Sequence, residues 1–287
     1  MSLLQALTTV QGRLEGGVAH ATFQHPPINL VGPETVRDLT RLLDMVEADD
    51  EIKVLVIASA DPDYFFAHAD MVALAQPREQ PPNGSAPGRN SSAPAPFAAA
   101  LIRLAGMSTV SIAKIAGRAR GAGSEIALAC DMRFASIERA ILSQPEVGVG
   151  LLPGAGGTQR LPALLGRGRA LEAILGAEDF DALTAERYGW INRALPDQQL
   201  DSFVDDLAAR IASFPSGAIA SAKEFVNRAS LPSADGLAAE SQRFAEHLRT
   251  PEVAQRVGRL IAQGAQTRSE LELNLGAALG ALGDHAV

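Results

Sequence analysis

The stretch RGAGSEIALACD (residues 120–131) places a tight glycine-containing turn directly before an apolar run. Gly121 and Gly123 allow positive φ angles or the close approach of another group. We expect Ser124 to be the N-cap of a helix whose first turn carries Glu125. A glutamate at this place can be a capping acid that interacts with the helix dipole. It can also be an acid or base beside N–H groups that a helix N-terminus aims at an anion.

A second unusual stretch, SQPEVGVGLLPGAGGTQRL (residues 143–161), holds Glu146 in a segment with no other charge before Arg160. Neither Glu125 nor Glu146 has a basic residue at helical spacing to neutralise it. In apolar surroundings both would have raised pKa values, as proton transfer near neutral pH requires. We therefore interpret the two as a candidate acid–base pair with divided roles. The alternative is that Glu146 follows Pro145 in a surface turn.

The composition limits the class of protein and its partners. The 287-residue chain is 47% hydrophobic, which is enough for a substantial core. Its one cysteine, Cys130, lies in an apolar run, so we expect a reducing compartment and a cytoplasmic location. The N-terminus lacks the basic start of a signal peptide, and no apolar run has the length of a membrane span. Because the net charge is −8, we expect no nucleic-acid partner, and no membrane partner either.

Strand and helix patterns alternate early in the chain, and helices dominate later. Gly16 and Gly17 predict a hairpin ending in VAHATF, Pro33 opens a predicted helix, and Asp70 is placed to start another. Residues 76–97 are rich in proline and predict a flexible loop. This order predicts an α/β core with a helical C-terminal part. After Pro153 the helices are predicted at 155–165, 167–175, 184–189, 198–213, 217–229, 236–248, 251–263 and near 268–282.

Other sequence motifs are incomplete. Ile126 stands where a dinucleotide-binding G-x-G-x-x-G motif needs its third small residue, and the chain contains neither a P-loop nor a G-x-S-x-G motif. The five histidines and Cys130 lack metal-ligand spacing, so no metal is predicted. His68 is the histidine nearest to a candidate site, and a structural role is favoured for it.

The two glycine-rich stretches closely resemble the enoyl-CoA hydratase/isomerase (crotonase) family, and FFAHAD (residues 65–70) resembles that family's F-x-A-G-A-D segment. The three motifs appear in the family's order and spacing, and the similarity extends over roughly residues 14 to 230. It implies an α/β fold, a spiral of β-β-α turns followed by a helical C-terminal trimerisation region. We expect the spiral core over residues 1–200 and the oligomerisation region over residues 201–287.

The resemblance also implies a ligand and a site. The ligand is an acyl-CoA thioester, whose coenzyme A belongs to the substrate, so no separate cofactor is expected. The backbone N–H groups of the oxyanion hole fall on Ala69 and Ala122, and the two acids of the family's hydratases fall on Glu125 and Glu146. The residues expected to contact substrate are Ala67, His68, Ala69, Asp70, Ala122, Gly123, Pro153 and Gly154.

The sequence departs from the family in places that bear on the substrate. His68 replaces the usual glycine before Ala69, and HPPINLV (residues 25–31) lacks a common basic residue. Three hypotheses therefore stay open. The first is a 2-enoyl-CoA hydratase that uses both acids, and the second is a Δ3-Δ2-enoyl-CoA isomerase that could use Glu146 alone. The third is a non-catalytic acyl-CoA-binding member, if His68 or the loop blocks the site.

The helical C-terminal part predicts a homo-trimer or hexamer. An apolar stripe at helical spacing, with further apolar positions beyond it, offers more surface than one small core needs. Packing of the stripe within the chain is the alternative. The stripe consists of Leu200, Phe203, Leu207, Ile211 and Phe214, and the further positions lie near Leu237, Phe244 and Leu248.

Overall fold

The computed structural model describes residues 7–75 and 95–282. The strands are β1 (Val10–Glu15), β2 (Val18–Phe23), β3 (Val54–Ser59), β4 (Tyr64–Phe66), β5 (Val110–Ile115), β6 (Arg118–Arg120), β7 (Met132–Ser136), β8 (Ile141–Ser143), β9 (Phe180–Asp181) and β10 (Arg193–Leu195). The helices are α1 (Pro33–Glu47), α2 (Met71–Ala75), α3 (Pro96–Gly106), α4 (Ala122–Ala129), α5 (Gly157–Leu165), α6 (Arg167–Gly176), α7 (Ala182–Tyr188), α8 (Asp197–Ala212), α9 (Ser216–Ser230), α10 (Ala234–His247), α11 (Pro251–Ala262), α12 (Glu270–Leu273) and α13 (Leu275–Ala281). A short 3-10 helix spans Glu146–Val149.

The strands form two sheets. The larger sheet has the order β1-β2-β3-β5-β7-β10, and the smaller has the order β4-β6-β8-β9. The hairpin predicted at Gly16 and Gly17 is confirmed as the antiparallel β1–β2 pair, and the other pairs of the larger sheet are parallel. Successive chain segments each place one strand in the larger sheet, a shorter strand in the smaller sheet and then a helix. This is the α/β spiral of β-β-α turns that the motifs implied.

The central strands of the larger sheet are apolar because both of their faces are covered. All of β3 except its last residue is buried, as expected for a parallel strand with helices on either side. On one face lies the main core, to which α1, α3 and α4 contribute Leu43, Leu101 and Ile126. The other face is covered by α8, whose Val204 is fully buried.

The apolar stripe on α8 lies within the chain's own core. Leu200 is buried against the sheet, and Phe203, Leu207 and Ile211 are partly buried against the same cluster. The ring of Phe203 meets that of Phe134 edge-on at 5.0 Å. For these four residues the interpretation as an oligomer surface is therefore wrong, because they cover the open face of the sheet. Phe214, the fifth residue of the predicted stripe, lies beyond α8 and is 42% exposed. In addition, α8 runs across the predicted boundary between residues 200 and 201.

The predictions for the last helix and for the proline-rich loop also differ from the structure in part. The single helix expected near 268–282 is divided into α12 and α13 at Asn274, whose backbone leaves the helical region. The structure places the last two residues of the predicted loop 76–97 in α3, which begins at Pro96. Residues 76–94 of this loop lie outside the described residues. Within the described ranges, no helix combines the length and apolar character that a membrane crossing needs.

Candidate active site

The helix α4 begins at Ala122 with Gly121 as its N-cap, three residues before the predicted N-cap Ser124. Gly121 precedes it with φ +49 and ψ −119, a backbone conformation that side chains strongly disfavour. A Cβ at Gly121 would lie 2.8 Å from Glu146 Oε1, so the glycine also makes room for that carboxyl. The prediction that Ser124 is the N-cap is therefore wrong. Ser124 is fully buried within the helix.

Two backbone N–H groups near this turn lack acceptors in the described part of the chain. Ala122 is the first residue of α4, so its N–H has no intrahelical acceptor. Ala69 forms a parallel bridge with Val31, in which Val31 N–H donates to His68 O (2.8 Å) and Asp70 N–H donates to Val31 O (3.1 Å). This pattern uses the groups on either side of the Ala69 N–H. The two residues predicted as oxyanion donors thus both have a free amide.

Both amides and both glutamates border one cavity of about 1320 Å³. The predicted contact residues His68, Ala69, Asp70, Ala122 and Gly154 line it, and so do Glu125 and Glu146. The structure therefore brings most of the predicted site together.

Three predicted contact residues lie outside the set that lines the cavity, and their contact with substrate stays a prediction. Ala67 is buried in a small cluster with Tyr64. Gly123 packs so closely on β4 that a Cβ would lie 2.2 Å from Phe66 O. Pro153 packs against Gly157.

Much of the cavity wall comes from residues that the sequence analysis did not single out. Arg37 and Arg41 of α1 line it, one helical turn apart, and that spacing was visible in the sequence. Phe244 of α10 lines it and packs on Gly154, where a Cβ would lie 2.5 Å from the ring. No local sequence signal marks the contribution of the C-terminal helices, whose lining side chains include Leu248, Leu260, Ile261, Leu275 and Leu279.

The Glu125 carboxyl is buried at the N-terminus of α5. Its Oε1 accepts hydrogen bonds from Ala155 N (2.7 Å) and Gly157 N (3.0 Å). Burial, followed by the charge of Glu240, raises the pKa of Glu125 to about 8, although both N–H groups and Arg160 oppose the shift. This carboxyl can therefore hold or release a proton near neutral pH.

A third carboxyl, that of Glu240 on α10, binds the same backbone segment before and at the start of α5. Glu240 Oε1 accepts from Gly156 N, and Oε2 accepts from Thr158 N at 3.1 Å and from the Thr158 hydroxyl. Glu125 and Glu240 thus take alternate N–H groups over four consecutive residues, Ala155, Gly156, Gly157 and Thr158. Burial is the main cause that raises the pKa of Glu240. Sequence reasoning missed Glu240, which reaches the turn from 84 residues away.

A buried arginine completes the turn. Arg160 Nη1 donates to Ala155 O at 2.7 Å, and a Cβ at Gly156 would lie 1.7 Å from that nitrogen. Gly156 has φ +113, so only glycine satisfies both the space and the backbone there. The Arg160 charge offsets part of the repulsion between the Glu125 and Glu240 carboxylates.

Glu146 starts the short 3-10 helix, and its carboxyl is contacted by a side-chain amide. In the orientation that satisfies both ends of the Gln144 amide, its nitrogen lies 3.2 and 3.1 Å from the two Glu146 oxygens. The Gln144 oxygen then lies 3.3 Å from Ser124 Oγ, so one side chain links Glu146 to α4. Burial and then the charge of Glu125 raise the pKa of Glu146 well above its ordinary value. The alternative of a surface turn is wrong, because Glu146 borders the cavity.

His68 is largely buried beside Ala69. Its Nδ1 lies 2.8 Å from Ala69 O, and its Nε2 lies 3.1 and 3.3 Å from the two oxygens of Glu272. The ring therefore has fixed partners on both sides although it lines the cavity. Its partner Glu272 was not foreseen from the sequence.

Comparison with known proteins identifies the family. The family described as "Enoyl-CoA hydratase/isomerase" matches residues 13–260, and the chain belongs to this family. A short-chain-enoyl-CoA hydratase of Clostridium acetobutylicum is 32% identical over 81% of this chain and 86% of its own. A probable enoyl-CoA hydratase of Rhizobium meliloti is 34% identical over 85% of this chain and 90% of its own.

Solved structures support the crotonase fold. One described as "a putative enoyl-CoA hydratase from Streptomyces avermitilis" is 48% identical, with a TM-score of 0.87 over 96% of this chain and 97% of that one. An enoyl-CoA hydratase of Mycobacterium avium, 23% identical with a TM-score of 0.77, shares the fold.

Proposed function

We propose that the chain is a 2-enoyl-CoA hydratase, which adds water across the conjugated double bond of an enoyl thioester. One observation carries the proposal. Two carboxyls with raised pKa values, Glu125 and Glu146, border the same cavity as the free N–H groups of Ala69 and Ala122. Acid–base groups and an anion-stabilising pair of donors are the two requirements of this reaction.

The two amides act on the charge that develops during the reaction. When a nucleophile adds to C3 of the enoyl group, electrons move to the thioester oxygen and an enolate forms. The N–H groups of Ala69 and Ala122 stabilise that negative oxygen more than the neutral carbonyl of the substrate. Such a difference in binding lowers the barrier rather than merely tightening substrate binding.

The two carboxyls divide the proton transfers. Burial raises the pKa of both carboxyls, and the charge of Glu125 raises that of Glu146 further, so the pair retains a proton near neutral pH. The ionised carboxylate takes a proton from water as the hydroxyl group adds to C3. The protonated one delivers its proton to C2, which neutralises the enolate.

The rest of the cavity suits an acyl-CoA thioester. Arg37 and Arg41 offer positive charge to phosphate groups, and the apolar side chains of Phe244 and Leu279 suit an acyl chain. The relatives named as enoyl-CoA hydratases support this substrate class. We propose no cofactor besides the coenzyme A of the substrate, and a cytoplasmic location.

We also propose a homo-trimer or hexamer, now on the basis of α9. No residue of this helix is buried, and its Phe225 and Val226 are 66% and 63% exposed. The helix is held to the rest of the chain by Lys223, which donates to Asp131 Oδ2 at 2.7 Å. Exposed apolar groups on a firmly held helix suit a contact with another copy. Light scattering that gives a monomer at every concentration would contradict this assembly.

A panel of 2-enoyl-CoA and 3-enoyl-CoA substrates of different chain lengths tests the activity. We expect hydration of at least one 2-enoyl-CoA, measured as loss of the conjugated chromophore. The Glu125→Gln/Glu146→Gln double variant is the control, and it should be inactive. Double-bond migration without hydration would favour the isomerase. Acyl-CoA binding without turnover would favour a binding protein.

A further inference from the structure

One residue beyond the family match contacts the neighbours of both proposed oxyanion donors. Glu272 lies in α12, outside residues 13–260, and it is fully buried. Its carboxylate pairs with His68, the residue directly before Ala69. Its backbone carbonyl accepts a 2.7 Å hydrogen bond from Arg120 Nη1, two residues before Ala122.

We propose that Glu272 is a positioning residue that fixes the spacing of the Ala69 and Ala122 amides by binding His68 and Arg120 together. The inference rests on the proposed function, since the spacing matters only if the two amides hold a developing enolate. An oxyanion hole needs donors placed for the charged oxygen, so a small displacement of one donor lowers the rate.

The contacts on the Ala69 side are extensive. Gln266 N donates to Glu272 Oε2 at 2.9 Å, which orients the carboxylate. The Gln266 side chain donates to Asp70 Oδ1 at 3.0 Å and accepts from Val72 N at 3.3 Å. The C-terminal segment therefore holds residues 68, 70 and 72 along one edge of the cavity.

On the Ala122 side, Arg120 is held by several hydrogen bonds. Arg120 is completely buried and forms a two-pronged ion pair with Asp179, at 2.7 and 2.6 Å. It also donates to Leu273 O at 3.0 Å, and Arg118 Nε donates to the same oxygen at 2.9 Å. A buried guanidinium with this many partners leaves Glu272 O little freedom relative to β6.

The side chains of His68 and Glu272 are in direct contact. His68 Nδ1 lies beside a carbonyl oxygen and Nε2 lies beside the Glu272 carboxylate. The ring is therefore held between two fixed acceptors. Burial would raise the pKa of Glu272, but the hydrogen bond and charge of His68, with Gln266 N and Arg120, hold it below its ordinary value.

Glu272 lies beyond the residues that the family model matches. A buried carboxylate without a partner would be destabilising, and His68 supplies that partner. The pair therefore adds one connection between the C-terminal segment and the edge of the proposed oxyanion hole.

The first test compares Glu272→Gln with a matched control in the same segment. Arg268→Gln breaks the pair with Asp63 (2.8 Å) and the pair with Asp61, and it touches neither donor segment. We expect Glu272→Gln to lower kcat about tenfold with KM changed less than about twofold, because the ground state depends less on the donors than the transition state does. The control should stay within about twofold of the wild type, as expected for an exposed ion pair. An unchanged kcat in Glu272→Gln would overturn the inference.

A double-variant cycle tests whether Glu272 acts through His68. Once His68→Ala has removed the partner, adding Glu272→Gln should lower kcat no further, because the two side chains act as one unit. Fully additive losses would show that Glu272 acts by another route and would overturn this part of the inference.

Hydrogen exchange separates the inference from the proposed function, because it needs no turnover. Peptides covering residues 66–72 should exchange faster in Glu272→Gln than in Arg268→Gln, with similar global stability. Residues 118–124 should change less, because the Arg120 bond to the Glu272 backbone carbonyl remains. If the wild type fails to hydrate any substrate, the proposed function fails and exchange alone decides the positioning role. Equal exchange in the two variants would overturn it even in an active enzyme.

Discussion

The two glutamates of the cavity have opposite kinds of support. Glu125 is held by backbone N–H groups at the start of α5, close to Glu240 and Arg160. Glu146 lies on a short 3-10 helix and is oriented by the Gln144 amide. Burial is the main cause that raises the pKa of each carboxyl. For Glu125 the charge of Glu240 adds to the rise while two backbone N–H groups and Arg160 oppose it, whereas for Glu146 the charges of Glu125 and Glu240 both add to it. The two carboxyls therefore differ in the neighbours that adjust their pKa values.

The largest expected effect comes from removing either proton-exchanging group. Glu125→Gln and Glu146→Gln should each lower hydration of an enoyl-CoA by about 10²–10⁴, the scale of a positioned acid or base. The double variant should be little worse than either single one, because the residues act in one step. Steady-state kinetics measure all three. Substantial double-bond migration by Glu125→Gln, with none by Glu146→Gln, would contradict the hydratase and favour the isomerase.

The next prediction concerns the Ala122 amide, which the proposed reaction requires whichever carboxyl acts as the acid. Ala122→Pro removes the N–H at the start of α4 and should lower kcat by about 10²–10³, as lost oxyanion donors do. Ala122→Gly keeps the N–H and should retain much of the activity. Circular dichroism and light scattering check that both variants are folded and equally assembled. Near-normal turnover by a folded Ala122→Pro would reject the role of this amide.

A smaller effect should appear in the pH profile. Glu240→Gln removes a negative charge that raises the pKa of Glu125 and also that of Glu146, so both pKa values should fall. The limb of the kcat/KM profile that Glu125 controls should move to lower pH, whether Glu125 acts as acid or as base. Glu246→Gln, on the exposed surface of the same helix, is the control and should leave the profile in place. An unmoved profile in Glu240→Gln would contradict the coupling.

The smallest effect concerns stability. Because the folded state raises the pKa of Glu125 to about 8, it keeps a proton that the unfolded chain releases at lower pH. This group therefore makes the free energy of unfolding fall as pH rises from its ordinary pKa towards 8. The Tm of Glu125→Gln, which cannot release this proton, should fall less than that of the wild type between pH 6 and pH 9. Calorimetry that gives parallel curves would contradict the raised pKa.

The sequence was informative where function depends on local backbone. The alternation of strand and helix patterns predicted the α/β core, and the resemblance of three motifs to a known family implied the spiral. The two glycine-containing stretches singled out Glu125 and Glu146 as a pair. The start of α4 was predicted wrongly because serine is a preferred N-cap residue, whereas the helix actually follows the positive φ of Gly121. The sequence does not show which of the two residues caps the helix.

What the sequence could not show depends on contacts between distant segments. Glu240 and Glu272 lie on ordinary amphipathic helices, and only the packing of those helices brings them to Gly156 and His68. The stripe on α8 was visible, but periodicity alone does not tell whether a sheet of the same chain or another copy covers it. Here the sheet covers it.

Several side chains that line the cavity come from a different part of the sequence than the proposed catalytic groups. The groups proposed to perform the chemistry lie between Ala69 and Glu146, whereas Phe244, Leu260, Leu275 and Leu279 shape the wall from the last fifth of the chain. If the cavity binds an acyl chain as proposed, its recognition and the reaction depend on separate parts of the sequence. A chimera that exchanges the C-terminal helices with those of a relative, and keeps Glu240 and Glu272, should inherit the donor's chain-length preference while the proton-transfer machinery stays that of the recipient.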